Sequence, residues 1–494
     1  MPLILAIDQG TTNTKALLID ESGGIVARGT SPLKVSYPRP GWVEASGHDI
    51  WRSVLVAVDS CLQQSQGRTV AAIGISNQRE SVLVWDRRTG KPIGPCIIWQ
   101  CRRTAGRVDA LRGTDTEKLV LAQTGLALDP LFPASKIAWL LDETTGARAK
   151  ALEGSLCAGT VDCWLLFNLT GGTVHATDSS NASRTQLMDI HRGSWSSELL
   201  AIFDVPHTIL PEIRPSNDRF GETTANGPLP AGIPIHSMIG DSHAALFGHG
   251  VRRPGIVKAT YGTGSSLMTL TDKPVASTNG LSTTIGWNRS GDVAFALEGN
   301  ITVSAQAATW AAEILGLADV DALTRLAATV ASSDGVYFVP ALAGLGAPYW
   351  DANARGLFTG MSLSTRPPHL ALAVLEAIAF QVGDVFAAME ADLGTPLRSL
   401  SVDGGATGND LLMQIQADLI ERPVIRSGAK ELSAIGAAMM AGIAAGVWDD
   451  ESAATRLVTG GTMSQPSLPA DTRQQRLRGW AKAVSRARLF AAKA

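Results

Sequence analysis

Residues 8–15 read DQGTTNTK and join the apolar run LILAI to the apolar run ALLID. An acid, a glycine and five hydroxyl or amide side chains between two strand-like runs read as a tight antiparallel turn. With the turn signal ESGG after it, LILAIDQGTTNTKALLIDESGGIVARG predicts a three-stranded antiparallel meander. A similar unit, GIVKATYGTGSSLMTLTD over 255–272, returns about half a chain later. The echo predicts a duplicated architecture in which each half opens on its own hairpin. A chain of 494 residues also exceeds what one hydrophobic core usually serves, which agrees with two large domains. Gly, charge and Pro cluster in GHGVRRP (248–254), and this places the boundary near residue 250, between halves 1–250 and 251–494.

Strands and helices mix through both halves, so the fold class is α/β. VAAIGIS, SVLVWD and IPIHSMIG read as strands, and GHDIWRSVLVAVDSCLQQSQ and ASKIAWLLDETTGARAKALE as amphipathic helices. The most apolar stretch, AIGAAMMAGIAAGVW from Ala434 to Trp448, is shorter than the ~20 residues of a bilayer span and rich in Ala and Gly, so it reads as a buried helix packed through small residues. MPLILAIDQG lacks a basic n-region and meets an acid within eight residues, so no signal peptide is expected and the expected location is the cytoplasm. The 42 Lys and Arg nearly balance the 45 Asp and Glu without basic runs, so neither nucleic acid nor a membrane surface is the expected partner. Five cysteines (Cys61, Cys96, Cys101, Cys157 and Cys163) are odd in number and contain no C-x-x-C, so reduced, buried thiols are expected and no zinc site.

Three glycine turns carry the chemistry. The turn at Gly10 offers backbone N–H and hydroxyl donors suited to polyphosphate oxygens, and Asp8 at the strand end can hold Mg²⁺ through water, with Lys15 adding positive charge. A solvated turn accounts for the same residues. The chain has no G-x-x-x-x-G-K-[ST] and no G-x-G-x-x-G between a strand and a helix, so a nucleotide would be bound by another geometry. DGGATGND (403–410) runs from a strand through Gly404 and Gly405 directly into a helix, where backbone can approach an anion or a flat ring; a tight turn is the other reading. With Gly262 to Gly264, these turns could line one cleft.

GISNQRESVLVWD sets Asn77 to Glu80 between two apolar runs, either as a polar hairpin tip or as a guanidinium and a carboxylate that donate to and accept from vicinal hydroxyls. Asp241 in SMIGDSHAALFG falls between a strand and a helix. Two roles are open to it: an N-cap, or a general base that accepts a substrate hydroxyl's proton.

These segments, with PGWVEASGHDIW, IIWQCRRT, GTVDCWLLFNLTGG, TDSSNASRT and GLGAPYWDANARG, make the chain resemble the FGGY carbohydrate kinases, the glycerol kinases most of all, from the first strand to about residue 450. The resemblance implies two domains of the ribonuclease-H-like, actin-like ATPase fold, with ATP and Mg²⁺ in an interdomain cleft. It puts the phosphate loop on Thr11, Thr12 and Asn13, with Lys15 where glycerol kinases usually carry Arg, and the metal at Asp8. Arg79 and Glu80 match the pair that grips polyol hydroxyls, Trp99 an apolar wall, Asp241 the catalytic base, Thr263 a phosphate contact, and Gly404, Gly405 and Ala406 the nucleotide site. Leu131 and Ser242 stand where glycerol kinases have Tyr and Gln, so two polyol hydrogen-bond partners are lost or shortened, and Ala305 and Thr309 replace a Gly and a Gln near the nucleotide. NGPLPAGIPI lacks the Arg with which some bacterial glycerol kinases bind fructose 1,6-bisphosphate, so inhibition by that sugar phosphate is not expected.

The expected function is ATP-dependent phosphorylation of a small polyol's terminal hydroxyl, glycerol to glycerol 3-phosphate, by a homo-oligomer (dimer or tetramer). The alternative is a four- or five-carbon polyol or ketose of the erythritol or xylulose type, with His243 as a new hydroxyl partner. A protein-binding ATPase like actin or Hsp70 is more remote, since only 44 residues follow residue 450, too few for a peptide-binding domain.

Overall fold

The N-terminal run forms the strands Leu3–Gln9, Asn13–Asp20 and Ile25–Pro32, paired antiparallel with Asp8 opposite Lys15. The computed structural model describes residues 2–65, 67–225, 227–449 and 460–489. Val70–Asn77 joins Leu3–Gln9 in parallel, Pro234–Gly240 joins Val70–Asn77 in parallel, and Gly221–Glu222 closes that edge antiparallel. LILAI is continuously apolar because its strand is covered on both faces. Leu3, Leu5 and Ile7 enter one core, and Ile4 and Ala6 enter another.

The second half repeats this order. Ile256–Tyr261, Ser265–Thr271 and Asp292–Ile301 make the meander, and Ser399–Asp403 and Val424–Arg426 follow in parallel on the other side of Ile256–Tyr261. Thr462–Ser464 closes one edge, and an added strand, Ser282–Arg289, closes the other. The doubled order is the ribonuclease-H-like, actin-like architecture.

Two details differ from the sequence expectation. Residues 134–153 form two helices, Pro133–Glu143 and Ala147–Leu152, because Thr144 turns extended (φ −104°, ψ 114°) and ends the first, and Gly146, at a φ of +75°, leads into the second. Residues 78–81 are no hairpin tip: Val82–Asp86 leaves the large sheet and pairs with Leu156–Thr160 and Cys96–Ile97 in a separate four-stranded sheet. All five cysteines are free and buried.

The two large sheets share a third core, built from Ile4, Ala6, Leu17 and Ile19 of one sheet, Met268, Leu270 and Ala296 of the other, and the helices Asp241–Gly248 and Leu432–Ala444 between them. Leu432–Ala444 is the small-residue helix expected from the sequence, and it packs on strands of the N-terminal sheet. The approach is close: a Cβ on Gly436 would lie 1.8 Å from the Ala244 carbonyl oxygen, one on Gly248 2.6 Å from that of Leu432, and one on Gly74 2.4 Å from that of Ala437. The longest apolar helix is elsewhere. Pro367–Leu393 is the one helix among the described residues long and apolar enough to cross a membrane, and most of it is buried in the core of the C-terminal sheet.

Gly436→Ala should therefore cost about 1–3 kcal/mol in chemical denaturation, the range for overpacking a filled contact. Gly106→Ala, whose Cβ would meet nothing within 4 Å, should be close to neutral. Equal effects at the two positions would contradict the crossing as described.

Candidate active site

Parallel strands bring their carboxyl ends to one edge of each sheet, and ligands of open α/β sheets bind outside such ends. In the N-terminal sheet Asp8 lies opposite Ser76, and Gly240 lies opposite Asn77, with Asp241 next in chain. In the C-terminal sheet Thr260 lies opposite Asp403, so the turns at 262–264 and 404–405 are adjacent. Gly404 has a φ of +99°, and its Cβ would fall 2.4 Å from the Tyr261 carbonyl oxygen, so no other residue fits there. The chain does not pass directly into a helix after it: Gly405–Gly408 is a 3₁₀ turn, and the helix Asp410–Ile420 begins after its Asn409 cap. Thr263 is exposed, and its carbonyl oxygen accepts from the Ser304 N–H at 2.9 Å. Ala305, beside it, donates its N–H to the Gly262 carbonyl at 3.1 Å. Ala406 is partly buried against the C-terminal core.

The Gly10 turn is closed by the Gly10 N–H donating to the Asn13 carbonyl at 3.0 Å, with Thr12 exposed. Thr11 Oγ1 accepts from Trp99 Nε1 at 2.9 Å, so the indole stands against the turn with 36% of its surface exposed. Lys15 Nζ lies 4.0 Å from Glu431 of the second half. Asp8 accepts from Ser76 Oγ at 2.6 Å. Burial outweighs that bond and, with the negative charge of Asp241, pushes the Asp8 carboxyl up to about 6. A single buried carboxylate of this kind suits Mg²⁺, which takes one or two carboxylates and fills its shell with water and phosphate. Among the described residues no group of three or more His, Cys, Asp or Glu forms a protein cage for a metal.

Arg79 and Glu80 are buried between the sheets, and Glu80 has a left-handed φ of 58°. Such strain in a non-glycine residue persists where the surroundings fix it. Asp241 opens the helix Asp241–Gly248, for which Gly240 is the N-cap. Its Oδ1 accepts from the Ser242 N–H at 2.6 Å and lies 3.3 Å from Arg79 Nε. Desolvation raises the Asp241 pKa against the pull of Arg79, while 36% of its side chain stays accessible. Ser242 follows, partly buried. Leu131 is partly buried, its N–H donates to Asp129 Oδ1, and its carbonyl accepts from Lys136 Nζ at 2.6 Å. His243 is fully buried and 3.3 Å from Thr284 Oγ1, so it does not line the cleft as a hydroxyl partner.

Four charged residues here were not singled out in the sequence. Glu298 lies 2.6 Å from Arg79 Nη1 and 2.9 Å from Arg184 Nη1, and Arg184 Nε donates to Glu80 at 2.6 Å. Burial would raise the Glu298 pKa, but Arg184 and Arg79 hold it well below the usual carboxylate range. Lys136 is buried among the carbonyls of Glu80, Ile98, Trp99 and Leu131, and burial lowers its pKa to about 8. Lys258 is buried in Ile256–Tyr261, within electrostatic reach of Asp403, Arg79, Asp241 and Glu298. A lone acid in the apolar strand segment AFALEGNI is the one signal that could have marked Glu298 in advance. His249, at the far end of the Asp241 helix, reaches Asp403 at 2.6 Å and ties the two sheets beside Gly404.

Two family models match: the N-terminal domain of the FGGY family of carbohydrate kinases over residues 3–248, and the C-terminal domain of that family over 257–445. The chain belongs to the FGGY family of carbohydrate kinases. It is 48% identical to an apulose kinase of Pectobacterium atrosepticum over 490 residues, 99% of each chain, and 46% identical to a glycerol kinase of Chromobacterium violaceum over 498 residues, 99% of this chain and 98% of the relative. Among solved structures, Plasmodium falciparum glycerol kinase with ADP superposes with a TM-score of 0.94 at 33% identity, covering 99% of this chain and 98% of that one.

Because the folded state raises the Asp8 pKa, its ionisation opposes folding: the penalty is absent below the ordinary value of 3.8 and complete above about 6. Asp8→Asn removes it. In metal-free buffer the variant's melting temperature should rise relative to wild type as pH goes from about 4 to about 7. A difference that stays constant with pH would contradict the assignment.

Proposed function

We propose that the chain transfers the γ-phosphoryl group of ATP to a terminal hydroxyl of a small polyol, as a glycerol kinase does, giving glycerol 3-phosphate from glycerol. What carries this reading is the meeting of Arg79, Glu80 and Asp241 at the carboxyl ends of one sheet, with a glycine turn suited to a nucleotide at those of the other. Residues 1–250 would form the polyol and phosphate side and 251–494 the nucleotide side. The glycerol kinase relatives and the ADP-bound neighbour support the substrate and the nucleotide.

In this mechanism Arg79 donates to the polyol's hydroxyls and Glu80 accepts from them, while Trp99 walls the carbon chain. Ser242 and Arg79 engage Oδ1 of Asp241. Oδ2 is then the oxygen that takes the terminal hydroxyl's proton as the phosphoryl group moves in line, and the raised pKa strengthens it as a base. Thr11, Thr12, Asn13 and Lys15 face the transferred phosphate, Thr263 the nucleotide phosphates, and Gly404, Gly405 and Ala406 the nucleoside. Mg²⁺, held at Asp8 through water, would neutralise the phosphate oxygens.

Leu131 and Ser242 favour a second reading, a four- or five-carbon polyol or ketose. A Leu cannot donate where Tyr would, Ser is shorter than Gln, and each hydrogen bond lost to a neutral group costs about 0.5–1.5 kcal/mol. An ADP-release assay over glycerol, erythritol, xylulose and apulose decides between the readings, and ATP consumption that needs no polyol would sink both. Leu131→Tyr with Ser242→Gln should raise glycerol's kcat/KM. Asp241→Asn should leave nucleotide affinity nearly intact and lower kcat by roughly 10²- to 10⁴-fold. A variant that keeps most of its kcat would show that Asp241 only supports the helix start.

A further inference from the structure

Five charges form one alternating chain: Asp241, Arg79, Glu298, Arg184 and Glu80. Four of them belong to the N-terminal half. Glu298 comes from the C-terminal sheet, on Asp292–Ile301, where Ser266 Oγ donates to its Oε1 at 3.2 Å. Residues two apart on a strand share a face, and Ala296 on that face packs in the core between the sheets. The Arg79 guanidinium is shared unequally, 2.6 Å from the fully buried Glu298 and 3.3 Å from Asp241.

We infer that Glu298 is a positioning residue, which holds Arg79 back from Asp241 so that the guanidinium stays available to substrate hydroxyls and the carboxylate stays free to accept a proton. The inference rests on the polyol-kinase reading above. Were the charge of Glu298 removed, Arg79 and Arg184 would face only Asp241 and Glu80, one carboxylate each. A buried guanidinium short of a partner is costly, and Arg pairs with carboxylates best through two parallel N–H···O bonds. Arg79 would therefore close onto both oxygens of Asp241 and occupy the one the reaction needs. In the native protein the substrate arginine is aimed by a charge that the nucleotide-side sheet supplies.

Glu298→Gln keeps the shape and removes the charge, and Glu298→Asp keeps the charge on a shorter arm. Crystal structures of wild type and both variants, with kcat, polyol KM and calorimetric ADP affinity, test the inference. In Glu298→Gln the Arg79 to Asp241 separation should contract from 3.3 Å into a bidentate pair. Polyol kcat/KM should fall by roughly 10²-fold, with kcat sharing the loss, as for a misplaced reacting group. ADP affinity should hold, and Glu298→Asp should recover part of the activity with Arg79 nearer its native place. Should Glu298→Gln not fold, Glu298→Asp should still show the split between impaired polyol kinetics and intact ADP binding. An Arg79 that stays put, or a loss of melting temperature with polyol kcat and KM unchanged, would overturn the inference. A wild type that turns over no polyol would remove the substrate reading instead, and the crystal structures would still decide whether Glu298 holds Arg79.

Discussion

Two helices cross between the sheets at a distance that only glycine permits. Gly436 presents no side chain to the Ala244 carbonyl, Gly248 none to Leu432, and Gly74 lets the same helix settle on the N-terminal sheet. The contact is backbone against backbone, so a single methyl group has nowhere to go. Everything that faces the cleft hangs from this crossing. The first residue of one helix is Asp241, and its last turn leads to His249, which is bonded to Asp403 just before Gly404.

Around that crossing the charges are arranged so that few are left alone. A carboxylate or guanidinium out of water is tolerable when paired, and Glu298 pairs with two guanidinium groups. Asp8, bonded to Ser76, and Asp241, paired with Arg79, are only partly compensated: desolvation still leaves each with a raised pKa, at the end of a strand in the N-terminal sheet. Carboxylates whose desolvation is only partly offset are poised to take a cation or a proton, at some expense of stability.

The doubled architecture was legible in the sequence because hairpins write a short-range code: LILAI and ALLID about a Gly-Thr turn, and the same device at 255–272. The small-residue helix at 432–444 was legible too, since Ala and Gly in that density leave few other ways to pack. By their residues alone Arg79, Glu80 and Asp241 stood out as polar residues between apolar runs, with two roles open to them, and it was the resemblance that gave each a role. Glu298, Lys136 and Lys258 were invisible because each sits inside a regular element, and Arg184 because it sits in a turn after a short helix; in each case the neighbours in sequence say nothing of the partners in space. Arg79 and Glu298 meet across 219 positions of chain. The break over Thr144 to Gly146 shows the opposite failure, in which a helical period ran on through an extended threonine and a left-handed glycine.

Under the proposed function the polyol residues lie on one sheet and the nucleotide turns on the other, so the reacting groups would meet as the two halves approach around the helix crossing, and closure would also shield the phosphoryl group from water. Small-angle X-ray scattering with and without a nonhydrolysable ATP analogue plus glycerol tests this most directly. The account predicts a smaller radius of gyration when both ligands are present than with neither. A radius that does not change would contradict it and point to a site already assembled in the free protein.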